Sequence, residues 1–525
     1  MKNKLFFILL FAINFATAQS LFIKEYFGVG AETTYSVINE NNFIYSAGST
    51  STFGNGQSDA LLIKHAINGD ILWTKAYGGY NNEGIRKIRL LQDGNLLMVG
   101  FTTSFSNYTN NDSNMFVIKA DTSGAIIWTK SFGGPNSESA IDVIENDDKT
   151  LIILGNTTSI GAGANDVLLL KLDDSGNYLW SKSLGSNDVD ISTSITKYQA
   201  KSFIISGYTK SFNFNGYYPF VLTVDTLGDF TWLKTYQTTG VSPAECFGNS
   251  IIKGFYDNYL LIGKKGKGMI GDSQPFVLDL DTLGEYNWGK IYSINSGDCS
   301  ATNIIKTNDN NFLVSGAMGN YYPLLLKINP IGQPLWNYYY GNNFSIQGYL
   351  FQSVITSGNS YVSVGYSKST GDTKSLLIKT NLNGTVASCN TTPFGGAAAS
   401  IFQPTITNRI FTSTSTNFTL IDSCSLVLGN LTTTTNCLVT SITDHNLKES
   451  PISISPNPAS KKLSIRNINE KTIIHIYDNL GKLVIEKEID TNTTLDISKL
   501  TQGIYIFISE NSNGRTFNKV VVTDY

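Results

Sequence analysis

Apolar runs of six to eight residues, separated by clusters of Gly, Asn, Asp and Ser, recur from Leu21 to about residue 385. Residues 71 to 124 show the pattern. The runs are Ile71 to Ala76, Gly84 to Leu91, Asn95 to Thr102 and Met115 to Asp121. Between them stand Gly78-Gly79, Asp93-Gly94, a polar loop from Thr103 to Asn114, and Asp121-Thr122-Ser123-Gly124. Each run is short for a helix, and each break has turn chemistry: glycine accepts positive φ, while Asp and Asn side chains bond to nearby backbone. The prediction is four strands per unit and no helix.

The unit repeats. All six tryptophans, Trp73, Trp128, Trp180, Trp232, Trp288 and Trp336, stand four residues after a glycine: Gly69, Gly124, Gly176, Gly228, Gly284 and Gly332. The glycine intervals are 55, 52, 52, 56 and 48 residues; Gly384 follows after another 52, with Ser388 in the Trp position. Phe22-Ile23-Lys24 reads as a copy of the same strand without its Trp. Seven such strands and seven four-strand units predict an all-β, seven-bladed β-propeller over residues 19–385, because a closed ring protects sheet edges that an open row would expose. Residues 21 to 27 either begin the first blade or complete the last. The pattern leaves that choice open.

Asp-x-x-Gly followed four residues later by Trp resembles the docking motif of the quinoprotein-dehydrogenase-like propellers. The resemblance implies that each indole packs between neighbouring blades, a structural duty. It does not bring the activity: such enzymes are mostly eight-bladed, and many carry an adjacent cysteine pair that this chain lacks.

Composition narrows the field. The 525 residues are 15% charged and 12% aromatic, with a formal charge of -3 that becomes -5 without Lys2 and Lys4, so neither nucleic acid nor an anionic membrane is an expected partner. Met1-Lys2-Asn3-Lys4, the apolar Leu5 to Ala12 and Ala16-Thr17-Ala18 have the arrangement of a secretory signal peptide, residues 1–18. No other segment has the length of a transmembrane helix. Of five cysteines, Cys246 and Cys299 occupy matching positions in adjacent units, and Cys424 with Cys437 is the better candidate pair among the remaining three, which include Cys389.

After Gly384 the repeat stops. Residues 386–450, rich in Ser, Thr and Asn, read as a linker, with a small accessory strand region as the alternative. Residues 451–525 return to period-two alternation and glycine turns, which predict a small antiparallel β-sandwich. This tail resembles the type A C-terminal sorting domain of the type IX secretion system of the Bacteroidetes. The matching elements are Pro456-Asn457-Pro458-Ala459, Ile476-Tyr477-Asp478 with Gly481-Lys482, Asp496-Ile497-Ser498 with Leu500, Gly503-Ile504-Tyr505, and Lys519 to Val522. The resemblance implies the type IX machinery as partner, and a route through the periplasm to the outer-membrane surface or the medium.

Candidate chemistry in the repeats is sparse. The three histidines, His65, His445 and His475, are far apart in sequence, and His65 reads as a surface residue at a strand end. Asp121, Asp173, Asp225 and Asp281 fall in the glycine turns, and Asp59, Asp112, Asp166 and Asp372 near the start of the fourth strand, so all eight have positional explanations. No catalytic residue, cofactor or metal site is predicted; calcium is the cation that loops such as 110 to 114 would suit, although none has EF-hand spacing. In the loop between the third and fourth strands, Phe53, Phe105, Ile160 and Phe212 recur regularly and read as a structural plug. Tyr108, Phe214, Tyr217, Tyr218, Tyr321 and Tyr322 do not recur so neatly and are the candidate ligand-binding residues, since aromatics among Asn and Gly stack on sugars or fill a partner's pocket. The expected function is binding of an extracellular glycan or protein; the alternative is a polysaccharide hydrolase or lyase on the same scaffold.

Overall fold

The computed structural model describes residues 20–523 apart from 106–111, 200–201, 213–214, 238–243, 267–272, 294–297, 320–321, 341–346, 369–371, 387–390, 394–397, 402–404, 410–411, 417–418, 422–424, 430–431, 440–452, 457–458, 469, 479–482 and 512–513. The signal-peptide segment 1–18 therefore lies outside the described residues. Two compact units emerge, residues 1–441 and 442–525. No helix occurs among the described residues; every regular element is a strand.

Among the described residues the first unit holds seven antiparallel arrays of four strands, numbered here in chain order as sheets 1 to 7; a short parallel pairing of Gly216 and Tyr217 with Ala244 and Glu245 joins the fourth to the fifth. Sheet 1 runs Glu32–Glu40, Phe43–Thr50, Asp59–Ala66 and Ile71–Gly78. Sheets 2 to 6 open on Glu83–Leu90, Glu138–Glu145, Asp190–Lys197, Ala244–Lys253 and Ser300–Lys306 and each close on a strand carrying a Trp. Sheet 7 opens on Gln347–Ile355, and its fourth strand is the chain's own beginning: Leu21–Phe27 pairs antiparallel with Thr373–Thr380. That resolves the register left open by the sequence, and Phe22 takes the place of the missing Trp.

The middle strands are buried along nearly their whole length, as in Asn114–Ala120 and Phe312–Met318, because each sheet is covered on both faces. Seven apolar clusters show by what: each joins two successive sheets, and one, containing Val37, Ile44, Val362 and Val364, joins sheet 7 to sheet 1. Burying side chains of this size contributes roughly 1.5–3 kcal/mol each before entropy is counted.

The glycine turns explain the Trp period. Asp121, Asp173, Asp225 and Asp281 each accept two backbone N–H bonds within their own turn, at 2.7–3.0 Å, and the glycines adopt φ between +74° and +79°. A Cβ on Gly124, Gly176, Gly228, Gly284, Gly332 or Gly384 would collide with the indole of the preceding sheet, and one on Gly69 would collide with Phe22. The ring therefore lies under the neighbour's turn, where only glycine leaves room. Four residues after the aromatic, Tyr26, Tyr77, Tyr236, Tyr292 and Tyr340 donate their hydroxyls to the carbonyl of the same glycine, at 2.6–3.0 Å. These tyrosines are fully buried, so each bond also satisfies an otherwise stranded hydroxyl.

The opening strands touch one another directly. Each has one β-bulge, at Tyr35, Arg86, Ile141, Thr193, Asn249, Thr302 and Phe351. The residue after the bulge reaches the next opening strand: Ser36 Oγ accepts from the Ile88 N–H at 3.0 Å, Asn303 Oδ1 from Ser353 at 3.2 Å, and Gln352 Oε1 from Val37 at 3.3 Å. The last of these bonds joins sheet 7 to sheet 1.

Residues 391–439 form seven further strands, described by their backbone. Each pairs antiparallel with the outer strand of one sheet, in reverse sheet order: Thr391–Pro393 on sheet 6, Ala398–Ile401 on sheet 5, Thr405–Arg409 on sheet 4, Thr412–Thr416 on sheet 3, Thr419–Ile421 on sheet 2 and Ser425–Gly429 on sheet 1. Thr432–Val439 ends the series on Leu21–Phe27. The segment expected as a Ser/Thr-rich linker thus supplies a fifth strand to every sheet.

Two sheets make the second unit: Ser453–Ser455, Lys462–Arg466 and Thr493–Asp496 in one, and Leu483–Ile489, Thr472–Tyr477, Gly503–Asn511 and Gly514–Val522 in the other. Leu463, Ile465 and Leu495 from the first meet Ile474, Ile476, Phe507 and Val520 from the second in a single core.

One expectation changes. His65 is not at the surface but fully buried, its Nε2 2.9 Å from Ser46 Oγ and its ring 4.8 Å from that of Tyr26. Cys246 and Cys299, at matching positions of adjacent sheets, are both buried and form no disulfide with each other, and burial pushes the Cys246 thiol up to about 12.

Candidate functional site

Carboxylates gather where sheets meet. Glu32, Glu83, Glu138 and Asp190 begin four opening strands, and each accepts a threonine hydroxyl from its own second strand, Thr50, Thr102, Thr157 and Thr209. Each also accepts a loop amide: Gly28 at 2.9 Å, and Gly79, Gly134 and Ser186 at 2.7 Å. Beside them Asp59 accepts the Gly56 amide at 3.1 Å and Asp166 that of Gly163 at 3.2 Å. Burial raises the pKa of Glu32, Asp59, Glu138 and Asp166 and pushes Asp190 up to about 6, with Asp166 adding like-charge repulsion there. The repetition of this arrangement, with its bonds spent on loop amides, marks loop anchors.

The signs of two shifts give a prediction. With a folded value of about 6 against an ordinary 3.8, Asp190 takes up its proton more readily in the folded state, so its charge costs stability at neutral pH and the cost fades as pH falls. That cost is about 3 kcal/mol. His65 acts the other way: burial pushes it down to about 3, so stability is lost as pH falls below its ordinary 6.5. Comparing Asp190→Asn with the wild type cancels the histidine. In denaturant titrations the variant should gain on the wild type by about 2 kcal/mol between about pH 4 and about pH 7; a pH-independent difference would refute the assignment.

A different pattern occupies the partly exposed face of the opening strands. At the bulge, sheets 3 to 6 have Ile141, Thr193, Asn249 and Thr302, whereas sheets 7, 1 and 2 have Phe351, Tyr35 and Arg86. Tyr35 and Phe351 lie 4.8 Å apart between ring centres, and Phe351 continues to Tyr349 at 6.2 Å and Tyr366 at 5.8 Å. The Arg86 guanidinium lies 4.6 Å from the Tyr35 ring centre and 5.6 Å from that of Phe101. All five rings are half-buried and Arg86 is exposed. A smaller cluster on sheets 4 and 5 joins Tyr208, Tyr217 and Phe247, with centres 4.9–5.6 Å apart.

The aromatics singled out from the sequence are dispersed. Tyr217 enters the smaller cluster, Tyr218 is half-buried on the same strand, and Tyr322 is buried with its ring 5.8 Å from Tyr339. Tyr108, Phe214 and Tyr321 lie outside the described residues. Phe105, Ile160 and Phe212 pack against the clusters between successive sheets. A cavity of about 460 Å³ sits near the far ends of three opening strands, lined among others by Arg89, Gln92, Glu145 and Lys197. Its polar groups are engaged: Arg89 pairs with Asp142 at 2.9 Å and Glu145 accepts the Gln92 amide at 2.7 Å.

In the second unit, Tyr505 is buried and its hydroxyl donates to the Thr501 carbonyl at 2.8 Å, while Tyr477 and Asp478 are half-buried where the strand Thr472–Tyr477 ends. Gly503 opens the next strand of that sheet, Lys519 lies within the last, and Pro456 is exposed. Asn457, Pro458, Gly481 and Lys482 lie outside the described residues. The model of the secretion system C-terminal sorting domain matches residues 453–523. Residues 453–523 are a type IX sorting domain. It marks the chain for export to the cell surface or beyond. No helix among the described residues is long and apolar enough to cross a membrane.

No curated protein matches the chain. Among solved structures it is similar to a puromycin hydrolase mutant, at 11% identity and a TM-score of 0.37 over 65% of this chain and 53% of the hydrolase, so it spans about half of that protein. It is also similar to an exo-β-1,3-galactanase from Clostridium thermocellum, at 13% identity and a TM-score of 0.28 over 70% and 92% of the two chains. A third is PorZ, a surface component of the type IX secretion system of Porphyromonas gingivalis, at 9% identity and a TM-score of 0.17 over 96% and 100%. At these scores none of the three carries an inference about this chain.

Proposed function

We propose that residues 19–385 form a closed seven-bladed β-propeller of the quinoprotein-dehydrogenase-like kind, belted by residues 391–439. Signal peptide 1–18 and the sorting domain take it through the periplasm to the cell surface or medium, where it binds an extracellular glycan or protein. The apolar cluster and hydrogen bonds joining sheet 7 to sheet 1 support the ring. One observation carries the binding function: three successive sheets depart from the repeat at the same bulge, placing Phe351, Tyr35 and Arg86 side by side on a partly exposed face. Repetition accounts for residues that build a scaffold; a local departure that exposes aromatic rings needs another cause. Tyr217 and Tyr218 lie on sheet 4, apart from this face, and are retained as secondary candidates with Tyr108, Phe214, Tyr321 and Tyr322.

A glycan array probed with the mature chain tests this reading. Binding should be present in the wild type and reduced at least about tenfold in Tyr35→Ala with Phe351→Ala, which removes two stacking surfaces. Absence of ligand together with cleavage of a polysaccharide would replace it with the hydrolase or lyase reading.

A further inference from the structure

We infer that the aromatic face takes a carboxylated saccharide, a uronate-containing glycan, with Arg86 as the group that selects the carboxylate; this rests on the binding function proposed above. Arg86 is exposed yet held, its guanidinium lying between the rings of Tyr35 and Phe101. No carboxylate pairs with it among the described residues, whereas Arg89, three positions on, is committed to Asp142 at 2.9 Å. Contact with aromatic rings fixes a guanidinium without using its N–H donors, which stay free for a ligand. A carboxylate matches that fork with two parallel bonds.

The neighbouring rings supply the rest of a saccharide site. Tyr349 lies nearly parallel to both Phe351 and Tyr366, at interplanar angles of 13° and 28°, and Tyr35 continues the row to Arg86. A row of half-buried aromatic rings ending in one cation complements a chain whose units each present an apolar C–H face and whose acid groups project from the ring edge. A neutral sugar would use the rings and leave the guanidinium idle.

The mature chain is titrated with an oligogalacturonate, its methyl ester and a neutral galacto-oligosaccharide of the same length. The acid form should bind, and methyl esterification or Arg86→Gln should each weaken it roughly ten- to hundredfold. Arg86→Lys should restore only part of the loss, because an ammonium lacks the planar fork. Arg86→Gln is expected to melt with the wild type, since the side chain is exposed. Equal binding of acid, ester and neutral forms, untouched by Arg86→Gln, would overturn the inference and leave glycan binding standing. Failure of all three to bind would overturn the inference and remove the support for a saccharide ligand.

Discussion

Deleting residues 451–525 should abolish appearance of the protein at the cell surface and in the medium and accumulate it, folded, in the periplasm. The two compact units divide near residue 442, and the second has its own core of Leu463, Ile465, Ile474, Phe507 and Val520, so its removal takes no strand from the seven sheets. Folding and sorting are therefore separable. The truncated chain should keep the thermal transition of the repeat unit while losing passage, which fractionation and circular dichroism together measure. Phe507→Asp in the full chain makes the same point without truncation: a charge among apolar residues costs several kcal/mol and should unfold the small sorting unit alone. Surface display of either variant would refute the dependence on this domain.

The parts legible in the sequence were those the fold must repeat. An indole under a glycine turn is needed at every joint, so Trp73 to Trp336 and their glycines come at a nearly fixed period, and Phe22 could be recognised as the same element. The sorting domain was legible because its turns combine Gly, Pro and Asp in a fixed order. The tyrosines four residues after the aromatic were missed, though Tyr26, Tyr77, Tyr236, Tyr292 and Tyr340 share one column. They interleave with Phe132 and Leu184, which fill the position without a hydroxyl.

The aromatic face was hidden for a geometric reason. A bulge adds one residue and shifts which side chains share a face, so alternation read through Tyr35, Arg86 or Phe351 assigns them wrongly. The sequence pattern instead favours the polar stretches between the third and fourth runs, to which it assigns Tyr108, Phe214 and Tyr321. Aligning the opening strands as a column, with Ile141, Thr193, Asn249 and Thr302 beside the three exceptions, is the signal that would have found it. His65 ends a strand in sequence and so reads as exposed, yet its ring is covered there by Tyr26 from Leu21–Phe27, the strand that the start of the repeat region lends to sheet 7.

The seven outer strands between residues 391 and 439 left the weakest trace. A strand added to a sheet edge is held by main-chain hydrogen bonds, which nearly any sequence offers, and runs such as Thr432 to Thr435 contribute only the extended preference of threonine. Their effect should nevertheless be large. They cover the edge of every Trp-bearing strand and of Leu21–Phe27, edges that would otherwise template pairing between molecules. A protease site inserted between Pro393 and Ala398 separates these roles from chain continuity. After cleavage the fragment beginning at Ala398 retains six strands on six sheets and should co-elute with the rest of the protein, parting from it only in denaturant. Excising residues 386–439 altogether should lower stability markedly, since each outer strand's main-chain hydrogen bonds are lost, and drive association through the bared edges. Ready dissociation of the cleaved fragment under native conditions would show that the belt does not hold the sheets.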